Sequence, residues 1–304
     1  MSRIRDAVMM AGRTVRRLPL PKAFYTHTLR EARRPMPGGG VLKRHAVDVE
    51  MVDRTRCVWL DRHHASEGVI VHLHGGAFVS GPFAGDWAWL SHQVDARRCA
   101  GVLVDYRTAP DHQHPVALED VEAVLVELSR SGVLGDAPWV LSAHNAGAGL
   151  ALALVRRIRD GHGPLKDVPA PSLVVMMSPW ADLELANTGM TETGRKDFPQ
   201  ERRMLGVAAQ AYAGRTPLDD PDLSPVNAHL HELPPMHLSV GTSDIFLTDA
   251  RVLRLQLEEA GPEVAYREVH GRLALLSGLR GGEEMGRLLG EQRAAIATAL
   301  SPRR

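Results

Sequence analysis

Val140-Leu141-Ser142-Ala143-His144-Asn145-Ala146-Gly147-Ala148-Gly149-Leu150 is the stretch whose reading decides the fold. Its first part closes an apolar run, Pro138–Ser142, that reads as a strand. From Ala146 to Ile158 the apolar residues recur at helical spacing. Little chain is left for the reversal between them. Small residues on both sides of Asn145 suit a tight strand-to-helix turn, in which the helix packs close against the strand it leaves. Such a turn presents a single side chain at its apex, here Asn145.

Outward from this turn the same alternation repeats. Toward the amino terminus lie the strand candidates Gly68–Leu73 and Gly101–Tyr106, with helical patterns over about Gly85–Arg97 and Ala117–Arg130. Toward the carboxyl terminus lie Ser172–Ser178, Met236–Gly241 and Glu263–Val269, with helices over Leu247–Ala260 and Glu283–Leu300. Val47–Val52 and Thr55–Leu60, split by Asp53-Arg54, open the series as an antiparallel hairpin. Continuous apolar strands such as Val102-Leu103-Val104 suit a sheet covered on both faces. The reading is a mostly parallel, doubly wound α/β sheet of about eight strands, with helices on both faces.

Two segments break the rhythm. Residues 1–40 carry an amphipathic helix (Ile4, Val8, Met9, Val15) and end at Pro37-Gly38-Gly39-Gly40; residues 182–224 hold a helix near Glu201–Tyr212 between Asp- and Pro-rich turns. Both are expected to cap one end of the sheet in residues 41–304, which otherwise form a single domain. Thirty-six basic residues balance thirty-six acidic ones in a chain of 304, so no net field favours nucleic acid or an anionic membrane. Cys57 and Cys99 are too few for a disulfide framework and lack metal-ligand spacing. No apolar run approaches the ~18 residues of a membrane span. Arg3, Arg5, Arg13, Arg16 and Arg17 leave only Ala7–Gly12 between charges, short for a secretion signal, and the expected compartment is the cytoplasm.

Three further motifs carry chemistry. His74-Gly75-Gly76-Ala77-Phe78 follows the strand Val69-Ile70-Val71-His72-Leu73, and two glycines past a strand end let backbone N–H groups converge on one point, the geometry of an oxyanion hole. Val240-Gly241-Thr242-Ser243-Asp244 runs from a strand into a loop acid. Tyr266-Arg267-Glu268-Val269-His270-Gly271 runs from a late strand to a histidine. The order turn, acid, histidine is that of the α/β-hydrolases.

With these residues the chain resembles the hormone-sensitive-lipase-like branch of bacterial carboxylesterases, from about residue 45 to the end. The resemblance also rests on Asp105-Tyr106-Arg107, Ala109-Pro110-Asp111-His112 with Pro115, Ser178-Pro179-Trp180 with Asp182, Asp220-Pro221, Ser224-Pro225 and Leu233-Pro234-Pro235. It implies an α/β-hydrolase fold with a helical cap, ester cleavage through serine, histidine and aspartate, an oxyanion hole from the N–H groups of Gly75, Gly76 and Ala146, and a homodimer through a sheet edge. Where the family has Gly-Asp-Ser-Ala-Gly-Gly, this chain has Ala143-His144-Asn145-Ala146-Gly147-Ala148. An amide is no nucleophile, because its nitrogen lone pair is delocalised into the carbonyl. Asparagine does tolerate the positive φ of such a turn. Ser142, at the strand end, is not expected to reach the same point. Asp244 matches the family acid. The histidine has two readings: if Gly271 is the glycine that precedes the catalytic histidine by three, that position is Ala274; alternatively His270-Gly271 is the family's His-Gly pair after a shortened loop.

Loss of the nucleophile in a serine hydrolase costs about 10⁶ in kcat, so efficient serine esterase activity is not expected. Asn145, Asp244 and His270 are the candidate catalytic residues; His74, Phe78, Trp87, Trp180 and Phe246 are the candidate lining of a pocket for a small acyl or carbonyl compound. His112 and His114 bracket Gln113 without a third ligand, so no metal is expected, and no organic cofactor either. His63-His64 is read as a solvated turn, and His144 as packing beneath the turn. Three functions compete: a non-hydrolytic enzyme that uses the oxyanion hole for elimination, dehydration or cyclisation; a ligand-binding pseudohydrolase; and an ester hydrolase whose water is activated by His270 and Asp244, or whose Asn145 is an introduced change.

Overall fold

The computed structural model describes residues 36–135, 137–186, 198–271 and 282–301. Among them eight strands form one sheet: β1 (Val47–Val52), β2 (Thr55–Leu60), β3 (Val69–Leu73), β4 (Ala100–Asp105), β5 (Trp139–His144), β6 (Leu173–Met177), β7 (Met236–Gly241) and β8 (Val264–Val269). The order across the sheet is β1-β2-β4-β3-β5-β6-β7-β8. β2 runs antiparallel to both β1 and β4, and every other pair is parallel. The doubly wound α/β sheet opened by a hairpin is therefore present, with each boundary within two residues of the sequence reading.

Long helices follow the strands: α1 (Ala84–Arg97), α2 (Val116–Arg130), α3 (Ala146–Arg159), α4 (Phe198–Ala213), α5 (Leu247–Ala260) and α6 (Gly282–Ala299). Period-2 strands send alternate side chains to opposite faces, and two cores result. Val71, Leu73, Val102 and Val104 face α2, α3 and α5, where Leu118, Leu125, Leu150 and Leu253 meet them. Val58, Ile70, Leu103 and Val140 face α1 and α6, where Trp89, Leu90, Leu288 and Ile296 meet them. Cys57 and Cys99 are fully buried and unbridged; burial, helped by the Glu50 charge, pushes the Cys57 thiol up to about 12, so it stays a protonated core residue at neutral pH.

Polar residues pin the loops. Arg56 on β2 pairs with Asp105 at the end of β4 (2.6 Å), and Arg107 reaches Asp120 on α2 through its Nε (3.0 Å). His45 bridges Asp61 (2.7 Å) and Ser91 (2.8 Å), fastening the entry to β1 onto α1.

Of the two expected cap segments, residues 1–35 and 187–197 lie outside the described residues. α4, inserted between β6 and β7, packs its buried Ala208, Ala209 and Tyr212 into the first core. Tyr212 accepts the His114 N–H through its carbonyl (2.7 Å) and stacks on Phe78 (centroids 3.9 Å apart). The inserted helix thus sits over the loops that leave β3 and β4. Among the described residues no helix is long and apolar enough to cross a membrane.

Candidate active site

β5 runs two residues past its sequence reading, to His144, and Asn145 stands at the turn before α3 with φ 55° and ψ −116°. That conformation is strained and is held only where the surroundings over-determine it. Here the main chain does so. Asn145 N–H donates to Met177 O (2.9 Å), while its carbonyl accepts N–H groups from Ala148 (3.0 Å) and Trp180 (3.1 Å). The close approach of α3 to β3 needs Gly147: a Cβ there would lie 2.5 Å from the carbonyl oxygens of both His74 and Leu73. Ser142 does not reach the turn. It is fully buried in β5, with its hydroxyl 2.9 Å from His72 Nδ1.

The His74–Phe78 loop lies beside Asn145. A Cβ on Gly75 would come within 3.1 Å of Asn145 Cβ and 2.6 Å of His144 Nδ1. Gly75 N–H, expected to line an oxyanion hole, instead points at Asp86 Oδ1 (3.4 Å). Ala146 N–H opens α3, so it has no acceptor within its own helix. His74 is no pocket residue. Its ring is fully buried, stacks on Tyr106 (4.1 Å), meets Gly75 O through Nδ1 (2.6 Å) and approaches Asp105 (3.9 Å). It braces the loop from below.

Asp86, third residue of α1, is fully buried. It accepts Phe83 N–H (2.8 Å), as an acidic residue in the first helical turn can. His72 Nε2 (3.3 Å) and His144 Nδ1 (3.4 Å) also face it. Burial alone would raise its pKa, but the hydrogen bonds from His144 and His72 outweigh it and hold the carboxyl far below the usual carboxylate range.

Asp244 follows β7, buried, and accepts the Ser178 hydroxyl (2.6 Å) and Gly241 N–H (2.9 Å) on one oxygen. Its loop is tied to the end of β8: Thr242 N–H meets Val269 O and Ser243 N–H meets Gly271 O, both at 2.8 Å. His270 lies between those two anchor points with its side chain exposed. Its main-chain N–H donates to Glu284 (3.1 Å), and its ring enters no hydrogen bond or ion pair among the described residues. The structure therefore does not bring His270 onto Asp244. Ala274, the other reading of the histidine position, lies outside the described residues.

Among the aromatic candidates, Phe78, Trp180 and Phe246 come together: Phe78–Trp180 centroids are 6.2 Å apart and Trp180–Phe246 centroids 5.9 Å. Trp87 does not join them, because it lies on α1 in the core of the opposite face. Tyr212, which no sequence motif marks, joins the group instead; burial drives its phenol pKa upward, so it stays neutral. Trp180 Nε1–H donates to Asp182 O (2.8 Å), fixing the indole. His114 meets Thr216 Oγ1 (3.2 Å) and packs edge-on against Tyr212, and burial lowers its pKa. Among the described residues no group of three or more His, Cys, Asp or Glu could hold a metal ion.

This arrangement has relatives. The family profile described as alpha/beta hydrolase fold matches residues 70–273. An acetyl-hydrolase of Streptomyces hygroscopicus is 32% identical over 221 residues, covering 73% of this chain and 72% of that protein. An esterase of Acinetobacter venetianus is 30% identical over 200 residues, covering 66% of this chain and 64% of that protein. Among solved structures, a hormone-sensitive lipase from a metagenome library has a TM-score of 0.75 at 22% identity, covering 98% of both chains. The esterase EstE5, soaked with p-nitrophenyl butyrate, has a TM-score of 0.77 at 21% identity, covering 96% of this chain and 98% of that one. By profile, by sequence and by the order of its sheet, the chain belongs to the α/β-hydrolase family, on the side of its carboxylesterases and lipases.

Proposed function

We propose that this chain binds a small, mostly apolar acyl or carbonyl compound at the β5–α3 turn and turns it over without hydrolysis, by elimination, dehydration or cyclisation. The observation that carries the reading is Asn145 itself. In α/β-hydrolases the apex of this turn presents a serine nucleophile; here the strained apex carries an amide with no nucleophilic atom. An acyl-enzyme route is then closed, while main-chain N–H groups of Gly76 and Ala146 remain to stabilise an oxyanion, which serves an enolate as well as a tetrahedral intermediate. Gly75 is left out of this pair because its N–H is turned to Asp86. Phe78, Trp180, Phe246 and Tyr212 supply the apolar wall. The relatives named acetyl-hydrolase and esterase favour an acyl compound as the ligand class.

A second reading, a ligand-binding pseudohydrolase with no turnover, is favoured by the exposure of His270, whose ring meets no partner among the described residues. One probe separates the possibilities. 4-Acetoxybutan-2-one loses acetate by elimination to give butenone and by hydrolysis to give the hydroxyketone. Followed by NMR with the purified chain, butenone is the expected product. The hydroxyketone would overturn the proposal in favour of ester hydrolysis, and saturable binding without product would favour the pseudohydrolase.

A further inference from the structure

The inserted helix α4 is held at its C-terminal end by a loop from another part of the chain. A helix leaves its last four carbonyls without partners in its own turns. Here Gln210 O and Ala213 O accept the N–H groups of Gly214 (3.2 Å) and Thr216 (3.0 Å), from the chain that leaves the helix. The other two are met by the loop between β4 and α2. Tyr212 O accepts His114 N–H (2.7 Å), and the Gln113 side-chain amide reaches Ala211 O (3.5 Å). The fit is close, since a Cβ on Gly214 would lie 2.7 Å from Gln113 Oε1.

The His114 ring completes the joint. Its Nδ1 lies 3.2 Å from Thr216 Oγ1, and the ring packs edge-on against Tyr212, whose own ring lies flat on Phe78 of the glycine loop. Nε2 is shut off from solvent and has no hydrogen-bond partner. A neutral imidazole suits this place, because one of its nitrogens carries no proton. An imidazolium has two N–H groups to satisfy, and among the described residues only Thr216 offers it an acceptor. Charged groups face the ring from three sides: Glu119 on α2, Arg157 on α3, and Asp220 and Asp222 on the turn after α4. The carboxylates favour the imidazolium and Arg157 opposes it, but Asp222 is already engaged by Arg156 and Arg157. Burial outweighs the carboxylates, so the pKa of His114 falls below its ordinary value.

We propose that His114 is a pH-sensitive latch on α4, shut while its imidazole is neutral and released when it is protonated. Release frees the end of the helix that carries Tyr212, and with it the part of the apolar wall that leans on Phe78. The sign follows from linkage. A released ring regains the ordinary histidine pKa of about 6.5. The docked helix therefore binds fewer protons than the released one, and its hold weakens as the pH falls below that value. The latch does not depend on the reaction assigned to the Asn145 turn, so it stands or falls apart from the proposed function.

Hydrogen–deuterium exchange of the whole chain tests this, read by peptide mass spectrometry at about pH 8 and about pH 5.5 and corrected for the intrinsic exchange rate at each. Protection of the α4 peptides is expected to fall several-fold at the lower pH, with about tenfold as the ceiling that one pH unit below the ordinary pKa allows. Peptides of β5 are expected to keep their protection. His114→Phe retains a ring against Tyr212 and does not titrate, so it is expected to hold α4 equally at both pH values. His114→Gln, which is also uncharged throughout, serves the same purpose if the phenylalanine variant does not fold. Unchanged or increased protection of wild-type α4 at the lower pH overturns the proposal. So does a loss that the variant shares, since the titrating group would then lie elsewhere.

Discussion

Hydrolysis of 4-nitrophenyl acetate rises by about 10⁴–10⁶-fold when Asn145→Ser and Ala274→His are introduced together, and by less than about tenfold when either is introduced alone. The asymmetry follows from how a triad works. Removing the serine or the histidine of such a unit costs nearly as much as removing all of it, so restoring one member to a site that lacks another gains little. The acid is already mounted: Asp244 is buried and holds the Ser178 hydroxyl and Gly241 N–H. On the reading proposed here, the missing parts are a nucleophile at the turn and, where Gly271 is taken as the glycine three residues before the histidine, a histidine at position 274. Side-by-side initial rates of the wild type, both single variants and the double variant check this. A full gain from Asn145→Ser alone would refute it, since a histidine already present would then be serving residue 145.

A large stability effect is expected at Gly147. Gly147→Ala lowers the free energy of unfolding by about 3 kcal/mol, the upper part of the usual range for overpacking. The added methyl would sit 2.5 Å from two carbonyl oxygens of the chain leaving β3 and 2.9 Å from the Leu73 carbonyl carbon. Backbone in the middle of a sheet cannot give way as a flexible side chain can. Gly290 in α6 is the matched control, with nothing within 4 Å of its added Cβ. Gly290→Ala is expected to stabilise by up to about 1 kcal/mol, because alanine loses less backbone entropy in a helix. Urea unfolding of the two variants beside the wild type measures both. Equal stabilities would mean that α3 can retreat from β3 at little cost.

The alternation of strands and helices was legible because it is written in local periodicity. Boundaries slipped where polarity misled. The reading ends the strand at Ser142, yet β5 continues to His144, whose Nδ1 faces Asp86 from a distant part of the chain. The turn, the glycine loop and the acid were legible because each is a short stretch with its own spacing. The approach of His144 to Asp86 was not, since the two are 58 positions apart and nothing local links them. One trace existed: His144 replaces the aspartate that the resembled family carries before its nucleophile. Tyr212 left none, because a tyrosine on an amphipathic helix reads as core wherever the helix lands. His74 is the opposite case: it is expected as pocket lining, but stacking on Tyr106 and the contact with Gly75 O make it a prop for the loop.

Among the described residues, every hydrogen bond that fixes the bend at residue 145 is made by main chain: one to Met177, one from Ala148 and one from Trp180. The side chain at the apex takes no part in holding its own perch. The bend thus works as a socket whose fitting can be exchanged while the mount stays rigid, provided the newcomer tolerates a positive φ. Descendants of one scaffold can exchange the apex residue without first having to solve folding again, and only the partners that serve it then have to change.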